Sequence, residues 1–145
     1  MIWHEIRDPA DPELDRLAAR YGLHPLHVED CRHRNQSAKV EENHNYLFTV
    51  LKPVERHPES GLEIGDLDLF LGRDFLITVE EDTKPGLRAI LNQARQGAAV
   101  ERPDQLLYRI LDGVVDSYLP VLDRIDETID TLEDQVLEKP SPETL

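Results

Sequence analysis

Leu67-Asp68-Leu69-Phe70-Leu71-Gly72-Arg73-Asp74-Phe75-Leu76-Ile77-Thr78-Val79 sets two apolar runs around a short polar break. Leu67, Leu69 and Leu71 alternate with Asp68 and Phe70, which is the period of two of a β-strand. Phe75 to Val79 is a second run of β-formers. A three-residue connection containing glycine, Gly72-Arg73-Asp74, is a hairpin signal. Upstream, Tyr46 to Val54 is apolar and β-rich and reads as one buried strand. Ile2 to Ile6 reads as a short first strand, with Ile2, His4 and Ile6 on one face and Trp3 and Glu5 on the other.

Helical spacing fills the gaps. Asp8 to Pro12 is a turn cluster. Asp11 is placed to cap a helix with Pro12 at its first position, and Leu14, Leu17, Ala18 and Tyr21 follow on one face. Gly22 stops it, and a second short helix starts at Pro25. Arg32 to Glu42 reads as a polar loop leading into a strand, and His57 to Gly61 as another loop. Leu87, Ile90, Leu91 and Ala94 mark a helix after Pro85 that ends near Gly97. From Pro103 the pattern changes. Leu107, Leu111, Val114, Tyr118, Val121, Ile125, Ile129, Leu132 and Val136 step by 4, 3, 4, 3, 4, 4, 3 and 4, a nearly heptad seam. Pro120 kinks or breaks it, and Lys139-Pro140-Ser141-Pro142 ends it. The order of elements is that of an α/β (α+β) domain with a projecting helical end.

The chain has 145 residues, enough for one domain. It carries 16 Lys+Arg against 30 Asp+Glu, a formal net charge of −14. That balance argues against nucleic acid and against an anionic membrane surface, both of which need clustered Lys and Arg. Cations or basic partners suit such a field. A lone cysteine, Cys31, makes no internal disulfide, which fits a reducing compartment. The N-terminus lacks the basic and apolar regions of a signal peptide. The longest apolar stretches fall far short of the ~20 residues of a membrane span, so the chain reads as soluble.

The sequence has no G-x-G-x-x-G, no G-x-x-x-x-G-K, no H-E-x-x-H and no G-x-S-x-G, which lowers the case for an enzyme. Two clusters carry chemistry. His24, His27, Glu29, Asp30, Cys31 and His33 include zinc-type ligands, with His27 and Cys31 four apart on a helix face. Against this, Cys31 reads equally as a small buried hydrophobe. The second cluster is carboxylate: Glu29 and Asp30 are adjacent, and Asp112 and Asp116 lie four apart on a helix. These are either a solvated acidic face or oxygen ligands for a hard divalent cation such as magnesium, which uses one or two carboxylates and keeps several waters.

Gly22-Leu23-His24-Pro25-Leu26-His27-Val28-Glu29-Asp30 resembles the G-(I/L)-H-P-L-x-x-E-D segment of CorA-type magnesium transporters. The resemblance continues through Lys39-Val40-Glu41 and Asn45-Tyr46-Leu47-Phe48, returns at Leu106 to Asp112 and Val115 to Tyr118, and ends at Ile125 to Glu133. It covers most of the chain in order.

This resemblance implies a cytosolic α/β domain, a mixed β-sheet flanked by helices, with the start of a long C-terminal helix. Residues 1–100 would be its core, and 101–145 a helical region of the same domain leading to a stalk helix beyond this chain. Family members are homopentameric divalent-cation channels with two membrane helices and a Gly-Met-Asn motif, all absent here. The chain is therefore expected to be a soluble part of a longer protein, on the cytoplasmic face of the inner membrane and joined to the membrane only through its C-terminal continuation. Its partners would be neighbouring subunits. By resemblance Asp30 matches the main interfacial magnesium ligand, and Glu29 and Asp112 match second-site ligands. Mg2+ would bind weakly as a regulator that holds the channel closed, with Co2+ or Zn2+ as other ions. The zinc-transporting ZntB branch shares the architecture and remains an alternative. So do a freestanding metal-dependent enzyme using the His/Asp cluster and a scaffold assembling through the Leu107–Val136 seam.

Overall fold

In a computed structural model, which describes residues 2–33, 36–57, 61–81, 84–96 and 102–138, a five-stranded mixed sheet lies between two pairs of helices. The strands are β1 (Ile2–Ile6), β2 (Lys39–Glu42), β3 (Tyr46–Leu51), β4 (Val54–His57), β5 (Gly61–Ile64), β6 (Leu67–Gly72) and β7 (Phe75–Glu80). The helices are α1 (Glu13–Tyr21), α2 (Pro25–Cys31), α3 (Pro85–Gln96), α4 (Pro103–Asp116) and α5 (Leu119–Glu138). The main sheet runs β1-β7-β6-β3-β2, and β4 pairs with β5 in a separate ribbon. Among the described strands of this sheet β1 and β7 pair in parallel, and the other neighbours are antiparallel.

The expected hairpin forms, with Leu71 opposite Leu76. Gly72 ends β6, so the connection contracts to Arg73-Asp74. The single strand expected from Tyr46 to Val54 is instead two. Pro53 follows Leu51 and Lys52, and a proline has no N–H to give a central ladder. The chain leaves the sheet there, and β4 and β5 pair on either side of the expected His57–Gly61 loop; the carbonyl of Pro53 accepts from Gly65 N at 2.8 Å. β2 also forms where the sequence predicts the end of a loop. Its sequence, Lys-Val-Glu-Glu, has the charged character of an edge strand, and Val40 is exposed.

Alternation along β6 and β7 divides the core. Phe70, Phe75, Ile77 and Val79 face Leu14 and Leu17 of α1 and Val28 and Cys31 of α2. Leu67, Leu69 and Leu76 face Leu87 and Leu91 of α3 and Leu106, Ile110 and Val114 of α4. The helix pairs α1/α2 and α3/α4 therefore cover opposite faces of the sheet. α1 starts one residue later than expected, with Asp11 Oδ1 accepting from Glu13 N–H at 2.9 Å. Gly22 closes it at φ 65°, a left-handed geometry that glycine adopts without a Cβ clash. The end expected for α3 near Gly97 lies outside the described residues, as does the Lys139–Pro142 stop.

Charges stitch β1, β7 and α3. Arg88 donates to Glu80 at 2.7 Å and to Glu5 at 2.8 Å. Arg95 also pairs with Glu5 and lies over the Trp3 ring at 4.2 Å. Burial pushes the Glu80 carboxyl up, while the Arg88 guanidinium pulls it down.

The nearly heptad seam splits into two helices at Ser117-Tyr118, and Pro120 falls in the first turn of α5, where its missing N–H costs nothing. On α4 the fully buried row is Pro103, Leu106, Ile110 and Val114 rather than Leu107 and Leu111, because the helix lies across a sheet and not along a coiled-coil partner. Beyond the break, α5 buries no residue among those described: Leu122, Ile125, Ile129 and Leu132 stay exposed.

Candidate metal centre

α2 positions the first two expected ligands. His24 precedes it in an extended conformation, and its Nδ1 accepts from Leu26 N–H at 3.1 Å, capping the helix that Pro25 opens. His27, Val28 and Cys31 turn inward. That rotation places Glu29 out in solvent and Asp30 half-buried at the rim.

Asp30 is not alone there. Lys39 Nζ, on the edge strand β2, donates to Asp30 Oδ2 at 2.8 Å and lies 3.1 Å from Glu41 Oε1. Residues 39 and 41 share one face of β2 because strand side chains alternate. Glu41 Oε2 meets His27 Nε2 at 2.8 Å, and His27 Nδ1 meets the Tyr46 hydroxyl at 2.7 Å. That hydroxyl accepts from His24 N–H at 2.8 Å. Its own proton can then go to Nδ1, which leaves the Nε2 proton to donate to Glu41. The His27 ring stacks on Phe48 at 4.5 Å and 18°. The result is a chain of hydrogen bonds and ion pairs running from the buried core to the rim: Tyr46, His27, Glu41, Lys39, Asp30. The His27 contact, followed by Lys39, holds the Glu41 carboxyl below its usual range. Asp30, followed by Glu41, raises the Lys39 ammonium above its own.

Asp112 is exposed on α4. It lines a groove of about 730 Å³ between α3 and α4 together with Asp116, Arg102, Arg109, Tyr108 and Gln93. Gly113 lets the two helices approach; a Cβ there would meet Ile90 Cγ2 at 2.7 Å. Since α2 and α4 cover opposite faces of the sheet, one chain does not bring Asp112 to Glu29 and Asp30. Among the described residues no three His, Cys, Asp or Glu side chains converge as a metal site.

The zinc-type cluster does not assemble. Cys31 is buried and hydrogen-bonded to Asp68, and burial, then that carboxylate, push its thiol far up. Both His27 nitrogens are engaged, His24 caps its helix and His33 is exposed. What remains open is carboxylate oxygen, the donor that fits Mg2+ with retained waters. Lys39, Glu41 and His27 were not singled out together from the sequence. The signals were the place of Lys39-Val40-Glu41 in the resemblance and the Lys-x-Glu spacing, which means a shared face once β2 is known to be a strand.

The sequence model of the family described as CorA-like Mg2+ transporter protein matches residues 1–145. The chain belongs to this family. It is 33% identical over 136 residues to the cobalt/magnesium transport protein CorA of Thermotoga maritima, covering 91% of this chain and 39% of that protein. The soluble domain of CorA from Methanocaldococcus jannaschii shares the fold, with a TM-score of 0.68, 22% identity, and coverage of 98% of this chain and 58% of that one. So does the ZntB cytoplasmic domain from Vibrio parahaemolyticus, with a TM-score of 0.72, 13% identity, and coverage of 90% and 54%. This CorA-like chain thus spans about two fifths of the Thermotoga CorA. Its relatives are named as metal-ion transporters, not enzymes. Among its described residues no helix is long and apolar enough to cross a membrane.

Proposed function

We propose that this CorA-like chain is the cytosolic regulatory domain of a divalent-cation channel, and that it senses Mg2+ through Asp30, Glu29 and Asp112 at contacts between neighbouring copies. The observation that carries this reading is the placement of the carboxylates on opposite faces of one sheet. A site using both faces needs two copies side by side, the α2 end of one against the α4 face of the next. Such a contact is heterologous, and heterologous contacts close into rings when the rotation permits; the ring we propose is a pentamer. On this reading residues 1–100 are the α/β core, and 101–145 a helical region of the same domain that leads towards a stalk helix and the membrane, at the cytoplasmic face of the inner membrane.

Apposed carboxylates repel, each close pair by roughly 1 kcal/mol in water and by several at lower effective dielectric. A bridging divalent ion reverses that sign. The closed ring is then stable only while the ion is bound, and falling Mg2+ releases it. Co2+ is a further transported ion on this reading. A ZntB-like zinc transporter is the second reading, supported by the likeness to the ZntB domain.

The test is limited proteolysis of the full-length protein across a magnesium titration. Protection at millimolar Mg2+ that weakens in Asp30→Ala is expected. Equal protection in wild type and Asp30→Ala removes Asp30 from sensing.

A further inference from the structure

Asp30 already has a cation. Resting on the reading above, we infer that Lys39 is a tethered competitor for the Asp30 carboxylate, and that it sets the divalent concentration at which the site fills. Lys39 Nζ sits 2.8 Å from Asp30 Oδ2, and the two side chains are only 29% and 24% exposed. A magnesium ion bonds carboxylate oxygen at about 2.0–2.1 Å. Two cations on one carboxylate at such range repel, so the ammonium loosens its hold on Asp30 as the metal arrives.

The structure supplies the place to which it goes. Glu41 Oε1 lies 3.1 Å from the same ammonium. Glu41 is itself held from behind, by His27 Nε2 at 2.8 Å, and His27 is fixed by Tyr46 and by stacking on Phe48. The receiving carboxylate is therefore anchored to the core. The Lys39 stem is confined too, with its ammonium 5.8 Å from the Phe48 ring centroid. Displacement becomes a small swing between two built positions instead of the loss of a partner to solvent. A tethered monocation competes at a fixed, high local concentration. Free monovalent ions gain little against it, whereas a divalent ion carries twice the charge. Lys39 thereby raises the threshold of the site and biases it towards divalent ions.

The experiment measures the Mg2+ midpoint for protease protection of the full-length protein in wild type and four variants, with direct Mg2+ binding by calorimetry as the second readout. Lys39→Met keeps the apolar stem and removes the competitor; the midpoint should fall roughly three- to tenfold. Glu41→Gln removes the alternative seat, since one amide oxygen cannot serve both His27 and Lys39, and the midpoint should rise. Lys39→Gln is the second variant should the methionine form fold poorly. Asp30→Ala separates the two ideas. A midpoint unmoved by Asp30→Ala overturns the sensing role and this inference with it. A midpoint moved by Asp30→Ala but not by Lys39→Met or Lys39→Gln overturns only the competitor. Lys39→Met and Glu41→Gln shifting the midpoint in the same direction would also overturn it, because loss of a merely structural ion network moves both alike.

Discussion

Asp68 lies on β6, 4% exposed, with its side chain turned towards Cys31 of α2, and among the described residues its Oδ1 has no hydrogen-bond partner. Burial raises its carboxyl, and the neighbouring charges of Asp66, Asp30 and Glu81 add to this against the opposing Cys31 thiol, so that its pKa is pushed up to about 7. In the unfolded chain it ionises near its ordinary value of 3.8. Between those two values the unfolded state gives up a proton that the folded state keeps. Stability from this group therefore falls as pH rises, by about 1.4 kcal/mol per unit, and levels off above pH ~7. From pH ~5 to ~7.5 the loss is roughly 2–3 kcal/mol, a large share of a typical stability. Asp68→Asn is the same size, keeps an acceptor for the thiol and never ionises. Urea unfolding followed by circular dichroism at several pH values gives both stabilities. The advantage of Asp68→Asn over wild type should grow by roughly 2–3 kcal/mol across that range. Subtracting the two curves cancels every other titrating group. A difference that stays flat with pH would refute the assignment of Asp68 as a proton-holding carboxyl.

Arg88→Met strips the guanidinium from a fully buried Glu80 and from Glu5, so it should cost about 3–5 kcal/mol in the same assay, with Glu80→Gln added in the double variant restoring part of it. An additive double variant would show that the pair is not coupled. In the 145-residue chain, Ile125→Asp on α5 should leave stability within about 0.5 kcal/mol, whereas Ile110→Ala on α4 should cost about 2–5 kcal/mol. A costly Ile125→Asp would mean that α5 packs where the structure leaves it bare.

Much of the fold was legible because its signals are local. Period two at Leu67–Val79, helical spacing after Pro12 and Pro85, and the Gly22 stop each depend on residues within a turn or two of one another. The errors came where a local pattern had a non-local answer. Tyr46 to Val54 looks like one strand until Pro53 must give a ladder bond it lacks. Lys39–Glu42 looks like loop until β3 offers it an edge. The heptad steps through Leu107 and Leu111 cannot say that α4 lies across a sheet, which buries Leu106 and Ile110 instead.

The candidate site divides the same way. Composition and local pattern alone determined an acidic chain, a helix starting at Pro25 that carries Glu29 and Asp30, and a second helix carrying Asp112. Only the tertiary structure decided that these carboxylates sit on opposite faces, and that Lys39 lies between Asp30 and Glu41 with His27 behind. Charge count and periodicity are sums over neighbours in the chain. Which cation answers which carboxylate depends on the closure of a sheet whose edge strand has to find its partner first, and that pairing puts an ammonium within 2.8 Å of an acid nine residues away.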